Sequence, residues 1–264
     1  MDMFDRAFQQ ARGILESSSD NHTKLFNLLQ VSSYFWSVAL SEHAVAQRGD
    51  AVSSGPFEGL KFPVSEVEGC LLPRILGCYE AELHEKLEDI LKTKYDCIIN
   101  IGCGEGYYAV GLARRLPEAT VYAHDINIKA QEKCANLSEL NGVRERVIVG
   151  GEFSGENFRK FSGKRTLVLC DIEGGELNLL RPDLYPELKQ FDIVVELHDF
   201  IKAGTSHEVI ERFRETHDIE LVENNLFRKP LVPDWMKSMH DLTLLLAVCE
   251  FRPGPTPWAI MRAR

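Results

Sequence analysis

Two short runs in this chain gather side chains that can move protons or hold a cation. Cys170-Asp171-Ile172-Glu173-Gly174-Gly175-Glu176 follows one apolar stretch, and Glu196-Leu197-His198-Asp199 follows another. Asp171, Glu173, Glu196 and His198 form the candidate catalytic set, and three readings of them are open. Carboxylates with a histidine can ligate a divalent cation that activates a hydroxyl. They can instead form an anionic pocket for a cationic amine or guanidine acceptor, with His198 or Glu196 as base. The third reading makes them helix caps and solvated acids, with Glu176 pairing locally. Alternation along a strand puts Glu196 and His198 on one face, which favours a shared role. No metal ligand is assigned at this point.

A second constellation is Asn100-Ile101-Gly102-Cys103-Gly104-Glu105-Gly106-Tyr107. An apolar run leads into a glycine turn that opens directly onto a helical pattern, and glycine lets backbone turn tightly and approach a ligand closely. The spacing is G-x-G-x-G, not the G-x-G-x-x-G of dinucleotide binders. Such a neutral turn suits the amino-acid end of S-adenosylmethionine, which has no pyrophosphate to cradle. Asn100, Gly102, Cys103, Gly104 and Tyr107 are the contacts expected there. About 20 residues on, where a ribose would lie, Val121-Tyr122-Ala123-His124-Asp125 ends in an acid. Asp125 is expected on the ribose hydroxyls with Ile126 beside it; the alternative is a helix-capping acid. Glu152 and Phe153 in Gly150-Gly151-Glu152-Phe153 can flank an adenine, or the glycine pair is simply a turn. Asp171 belongs to both sets, facing donor and acceptor.

These residues need a scaffold that brings several loops to one rim. From Tyr95 onward, short β-like runs alternate with helical ones. Strands are expected near Asp96–Ile101, Ala119–His124, Arg146–Val149, Thr166–Cys170, Asp192–Leu197, Ile219–Glu223 and Leu242–Glu250. Helices are expected over Tyr107–Leu116 and Ile128–Leu140. That alternation predicts an α/β fold, a Rossmann-like, seven-stranded and mostly parallel sheet covered on both faces, its last strand antiparallel. In such sheets ligands lie at the carboxyl ends of the strands. Two helices are expected before about Gln47, the second apolar around much of its circumference, and another over Ile75–Lys92. Residues 1–94 thus read as a helical cap and 95–264 as the cofactor-binding domain.

At the glycine loop, the acid after the second strand and the seven strands over residues 95–250, the sequence resembles the class I S-adenosylmethionine-dependent methyltransferases. More narrowly, Asp171-Ile172-Glu173-Gly174-Gly175-Glu176 followed by Val195-Glu196-Leu197-His198 is similar to the FkbM group, with Gly175 where alanine is more usual. Cys78-Tyr79-Glu80-Ala81-Glu82-Leu83 is also reminiscent of that group. There Tyr79 and Glu80 touch the methionine portion of the cofactor or simply start a surface helix. The resemblance implies methyl transfer from S-adenosyl-L-methionine to nitrogen or oxygen of a small polar acceptor. Two rivals stay open: a nicotinamide-dependent oxidoreductase, and a non-catalytic module that binds S-adenosylmethionine and works through its apolar N-terminal helices.

Bulk properties narrow the partners. The formal net charge of -10 has its acids spread along the chain, which argues against the phosphate backbone of nucleic acid as main partner. Seven scattered cysteines without a C-x-x-C pair read as reduced thiols of a cytoplasmic protein. No apolar stretch approaches a bilayer span, and the N-terminus has no signal-peptide pattern. The apolar N-terminal helices offer a face to the main domain or to a second copy. His43, His84, His207 and His217 fall on expected helices and carry no chemistry. The insertion 225–241 can act as a lid, and the proline-rich run from Arg252 to Trp258 is expected to cross the surface.

Overall fold

The run Cys97–Ile101 forms β1, and all five of its residues are buried, as a strand covered on both faces requires. The computed structural model describes residues 2–63, 70–225 and 233–264. Among these, four helices precede β1, and the chain continues through α5 (Tyr107–Arg115), β2 (Thr120–His124), α6 (Ile128–Leu140), β3 (Val147–Gly150) and β4 (Thr166–Cys170). There follow α7 (Glu176–Leu179), β5 (Asp192–Glu196), α8 (Thr205–Phe213), β6 (His217–Val222), α9 (Asp241–Ala247) and β7 (Trp258–Ala263). The strand order is β3-β2-β1-β4-β5-β7-β6, with β7 antiparallel to both neighbours. This is the doubly wound 3-2-1-4-5-6 arrangement with one strand slipped in reverse between β5 and β6. The direction of winding reverses between β1 and β4, so a crevice opens at their carboxyl ends.

Two apolar cores lie on opposite faces of the sheet. One gathers Ile98, Val110, Leu112, Val121 and Leu137 with Trp258; the other gathers Ile99, Val168, Phe158, Phe191, Val195 and Phe213. Alternate residues of β1 feed alternate cores, the period-two consequence of the strand.

Before the sheet come α1 (Met3–Glu16), α2 (Asn21–Arg48), α3 (Leu71–Leu76) and α4 (His84–Ile90). Asp2 and Asp5 close a capping box on α1, and Asp20 caps α2. The second half of α2 buries Phe35, Leu40 and Ala44, whereas Leu25, Phe26 and Leu29 in its first half are exposed along with Phe4, Phe8 and Leu15 of α1. A third small core joins Leu40 and Ala44 to Leu72, Leu76, Met236 and Ala247. No described helix is long and apolar enough to cross a membrane.

Four expectations are corrected. The helix expected over Ile75–Lys92 is broken: Gly77, at φ +73°, ends α3, and a 3-10 turn over Ala81–Leu83 precedes α4. The strand expected over Leu242–Glu250 is helix α9, because a leucine-rich run favours helix and periodicity cannot separate short apolar runs. The final strand is instead Trp258–Ala263, and the proline-rich run before it folds inward, with Thr256 buried. His217, expected on a helix, opens β6 and is buried. Within the 225–241 insertion, residues 226–232 lie outside the described residues; Trp235 and Met236 pack on the third core.

Candidate active site

The crevice at the switch point holds a cleft of about 460 Å³ lined by Gly102, Asp125, Ile126, Glu152, Phe153, Asp171 and Glu173, among others. Gly102 follows β1 at φ +77°, and a Cβ there would stand 1.6 Å from the carbonyl oxygen of Asp171. The loop after β1 and the loop after β4 can meet only because residue 102 has no side chain. The amides of Gly102 and Cys103 both donate to the His124 carbonyl, at 2.8 and 3.0 Å. Asp125 accepts from the Gly104 amide at 2.9 Å through one oxygen and from Asn127 at 2.8 Å through the other. It therefore shapes the glycine loop while facing the cleft. Ile126 is 81% exposed although apolar, and Phe153 presents its ring edge-on to His124. Both are placed to cover a flat aromatic ligand.

Other expected contacts sit elsewhere. Tyr107 is buried in an aromatic cluster with Phe57, Phe62 and Tyr79. The Cys103 thiol is buried, and its companion Cys134 and burial push its pKa up. Asn100 lies inside β1 with a buried side-chain oxygen that has no hydrogen-bond partner. Gly104, at φ +51°, has open space about it. Asn100, Cys103 and Tyr107 support the loop from within the fold, whereas Gly104 stands open beside Asp125.

Adjoining the cleft, and sharing Asp171 and Glu173 with it, is a smaller pocket of about 190 Å³. Its walls include Glu196, His198, Phe200, Glu250, Arg252 and Tyr79. β4 and β5 are direct neighbours, so their carboxyl ends deliver all four expected catalytic side chains to one rim. His198 is buried; its Nδ1 donates to Glu176 Oε1 at 2.8 Å, and Glu176 is fully buried. Its Nε2 faces Glu196, Asp171 and Glu173 at 3.5, 3.6 and 3.7 Å. Burial opposes a charge on the ring, yet the neighbouring carboxylates of Glu176 and Glu196 outweigh it and lift His198 to about 10. Burial, and then the charge of Glu196 beside it, push Asp171 well above the usual carboxylate range. Burial acts upward on Glu196 too, but His198 and the Arg252 charge hold it down at about 2.

Sequence reasoning missed Arg252, a cation in this site. Arg252 donates to Glu196, Glu80, Glu250 and Thr256 at once. Glu80, given as a surface helix start or a cofactor contact, is buried and also accepts from the Tyr108 hydroxyl. A signal was present: a final strand antiparallel to β5 must begin at β5's carboxyl end, so the residues just before it reach the rim. Glu80 (φ +49°), Glu173 (φ +50°) and Phe251 (φ +54°) are the non-glycine residues in the left-handed region among those described. Glu173 and Phe251 line this pocket and Glu80 bonds its Arg252; such strain collects where surroundings over-determine the backbone.

No family model matches the chain. It is 26% identical over 129 residues to the ribosomal protein L11 methyltransferase of Caldanaerobacter subterraneus subsp. tengcongensis, covering 49% of this chain and 38% of the relative. It is 32% identical over 144 residues to that of Acinetobacter baumannii (strain SDF), covering 52% and 45%. The chain thus spans less than half the length of these relatives. Among solved structures, the O-methyltransferase TomG from Streptomyces achromogenes in complex with SAM is 15% identical at a TM-score of 0.46, covering 71% of this chain and 81% of that one. The O-methyltransferase from Bacillus cereus in complex with SAH is 13% identical at 0.46, covering 70% and 81%. Over about half its length, then, this chain is similar in sequence to ribosomal protein L11 methyltransferases.

Proposed function

We propose that the chain is an S-adenosylmethionine-dependent methyltransferase of the class I type, its closer likeness being to the FkbM group. The observation that carries the reading is the shared wall of Asp171 and Glu173 between the larger cleft and the acidic pocket. A donor in the first and an acceptor in the second would meet across those two residues.

The lining of the cleft fits this donor. Among the described residues it contains Asp125, Glu152, Asp171 and Glu173 and no lysine or arginine. Four carboxyl groups suit a cationic sulfonium and oppose a pyrophosphate, which calls for guanidinium or ammonium partners. That favours S-adenosylmethionine over a nicotinamide dinucleotide. When bound, it supplies a methyl group whose bond to sulfur breaks as the bond to the acceptor forms, the sulfur keeping the electron pair.

The residues do the positioning. Asp125 accepts from the ribose hydroxyls, Glu152 from the adenine amine, and Ile126 with Phe153 cover the ring. The glycine loop, with Gly104 at its open side and Cys103 and Tyr107 behind it, receives the amino-acid end. Glu196 and His198 hold a small polar acceptor, nitrogen or oxygen, in line with the methyl group. A carboxylate of the rim takes the acceptor's proton. Residues 1–94 act as a cap, since Cys70, Arg74 and Tyr79 line the acceptor pocket. Cytoplasmic residence and pairing of two copies through α1 and α2 belong to the same proposal.

Calorimetric titration with S-adenosylhomocysteine and with NAD tests the donor. The expected result is binding at about 1–50 µM for S-adenosylhomocysteine, weakened at least tenfold by Asp125→Asn, and none for NAD. NAD binding in its place would overturn the reading.

A further inference from the structure

His198 is 1% exposed, yet only one of its ring nitrogens has a partner at ordinary hydrogen-bond length. Nδ1 is held by Glu176, whose Oε1 also accepts from the Ile172 and Gly174 amides at 3.3 and 3.2 Å. Glu176 Oε2 is buried without a hydrogen-bond partner, so this residue is committed to the histidine and the turn beneath it. Nε2 faces carboxylate oxygens of three residues at 3.5–3.7 Å. Charge-assisted hydrogen bonds run to about 2.7–2.9 Å, so these contacts are too long to be that.

They have the spacing of donor atoms around one small cation. Ligands about 2.1–2.2 Å from a tetrahedral centre stand roughly 3.4–3.6 Å apart. One donor atom each from Asp171, Glu196 and His198 lies within 4.8 Å of the others. A buried carboxylate on the far nitrogen is the device that fixes ring and tautomer of a metal-bound histidine. Arg252 takes Glu196 Oε1 and leaves Oε2 toward Nε2.

We propose that Asp171, Glu196 and His198 bind one divalent transition-metal cation of the Mn²⁺ or Zn²⁺ kind. Glu176 is the positioning residue behind His198, and Glu173, with its side chain 74% exposed, stands at the mouth. An imidazole and few donors disfavour Ca²⁺, which takes six to eight oxygens. Resting on the methyltransferase reading, the site also names the acceptor: a hydroxyl compound whose oxygen joins the cation. Its O–H proton passes to Glu173, the new O–C bond forms, and the C–S bond breaks with its electron pair staying on sulfur.

The test uses the whole protein, stripped with a chelator and titrated with MnCl₂ and separately with ZnCl₂, without donor or acceptor. One Mn²⁺ per chain is expected, at about 100 µM or tighter, with nitrogen coupling from the imidazole in its electron-spin-echo spectrum. His198→Ala abolishes that coupling and weakens binding at least tenfold; Glu176→Gln weakens it about tenfold or more. Should either variant fail to fold, the coupling in the unaltered protein decides alone. Absence of saturable binding of either metal below about 1 mM, or bound Mn²⁺ without nitrogen coupling, overturns the site. S-adenosylhomocysteine titrated into the same sample separates the two readings. Its binding without metal sinks the cation alone, and metal without it sinks the methyltransferase.

Discussion

The guanidinium of Arg252 bonds the carboxylate of Glu196 from 56 residues farther along the chain. The two residues meet because β7 runs antiparallel beside β5, so the loop entering β7 starts where β5 ends. Arg252 is the cation among three buried acids, Glu80, Glu196 and Glu250. Removing one partner of such a buried set leaves charge uncompensated. Arg252→Met is expected to lower unfolding free energy by about 3–5 kcal/mol. Arg252→Lys, which keeps the charge but cannot reach all four acceptors, should lose less. Urea denaturation of the three proteins checks the order; equal midpoints would remove Arg252 from the account.

Two glycines of the same loop should respond differently. A methyl group at 102 meets the Asp171 carbonyl, whereas at 104 it meets nothing within 4 Å, although both residues have positive φ. Gly104→Ala should cost about 1–2 kcal/mol for the left-handed backbone alone. Gly102→Ala should cost more and abolish S-adenosylhomocysteine binding, since the loops after β1 and β4 must part. Thermal melts with and without that ligand measure both effects.

Ile126 offers a probe of ligand contact that leaves the fold alone. Being almost wholly exposed, Ile126→Ser should change stability by less than about 0.5 kcal/mol. If the residue covers the adenine, S-adenosylhomocysteine affinity should fall about five- to tenfold, the effect of roughly 1–1.5 kcal/mol of buried apolar surface. Unchanged affinity would take Ile126 out of the site.

His217 predicts a pH dependence of stability. Burial lowers its pKa below the ordinary 6.5, against the bond from its Nε2 to the Phe191 carbonyl. The unfolded chain then takes up a proton near pH 6.5 while the folded chain stays neutral to lower pH. Its contribution is full above 6.5 and lost as pH falls toward the folded value. Between pH 7 and 5 the wild-type protein should lose stability more steeply than His217→Gln. The difference is at most about 1.4 kcal/mol per pH unit. Parallel slopes in denaturant titrations would show that another group carries the dependence.

Much of this architecture was legible from local pattern. β1 to β5 and helices α5 and α6 follow from apolar runs bounded by glycine, proline and asparagine. The expected α6, Ile128–Leu140, matches residue for residue because Asn127 caps it and Asn141 with Gly142 ends it. Order along the chain was enough to bring Asp171, Glu173, Glu196 and His198 to one rim. Residues after Val222 were not legible in this way. Leucine-rich α9 and the short β7 carry no periodicity that separates helix from strand. Proline at 253, 255 and 257 says where regular structure stops but not which way the chain turns. Arg252 was hidden for the same reason, since its partners Glu80 and Glu196 are set by sheet order. Tyr107 illustrates the converse: its place after the glycine loop suggested ligand contact, and its ring is buried in an aromatic cluster with Phe57, Phe62 and Tyr79.

The reversed strand has a consequence for how the protein comes to be made. Among the described residues, β6 pairs with β7 alone, although it leaves the ribosome first. It must wait, without a strand partner, until β7 threads into the gap beside β5. That threading also brings Arg252 to the acids, so Glu80, Glu196 and Glu250 gain their shared cation only when the sheet closes. A nascent chain stalled before Trp258 would therefore hold a formed glycine loop beside an incomplete acceptor pocket. Assembly of the second half of the site is in effect a report that the sheet has been finished.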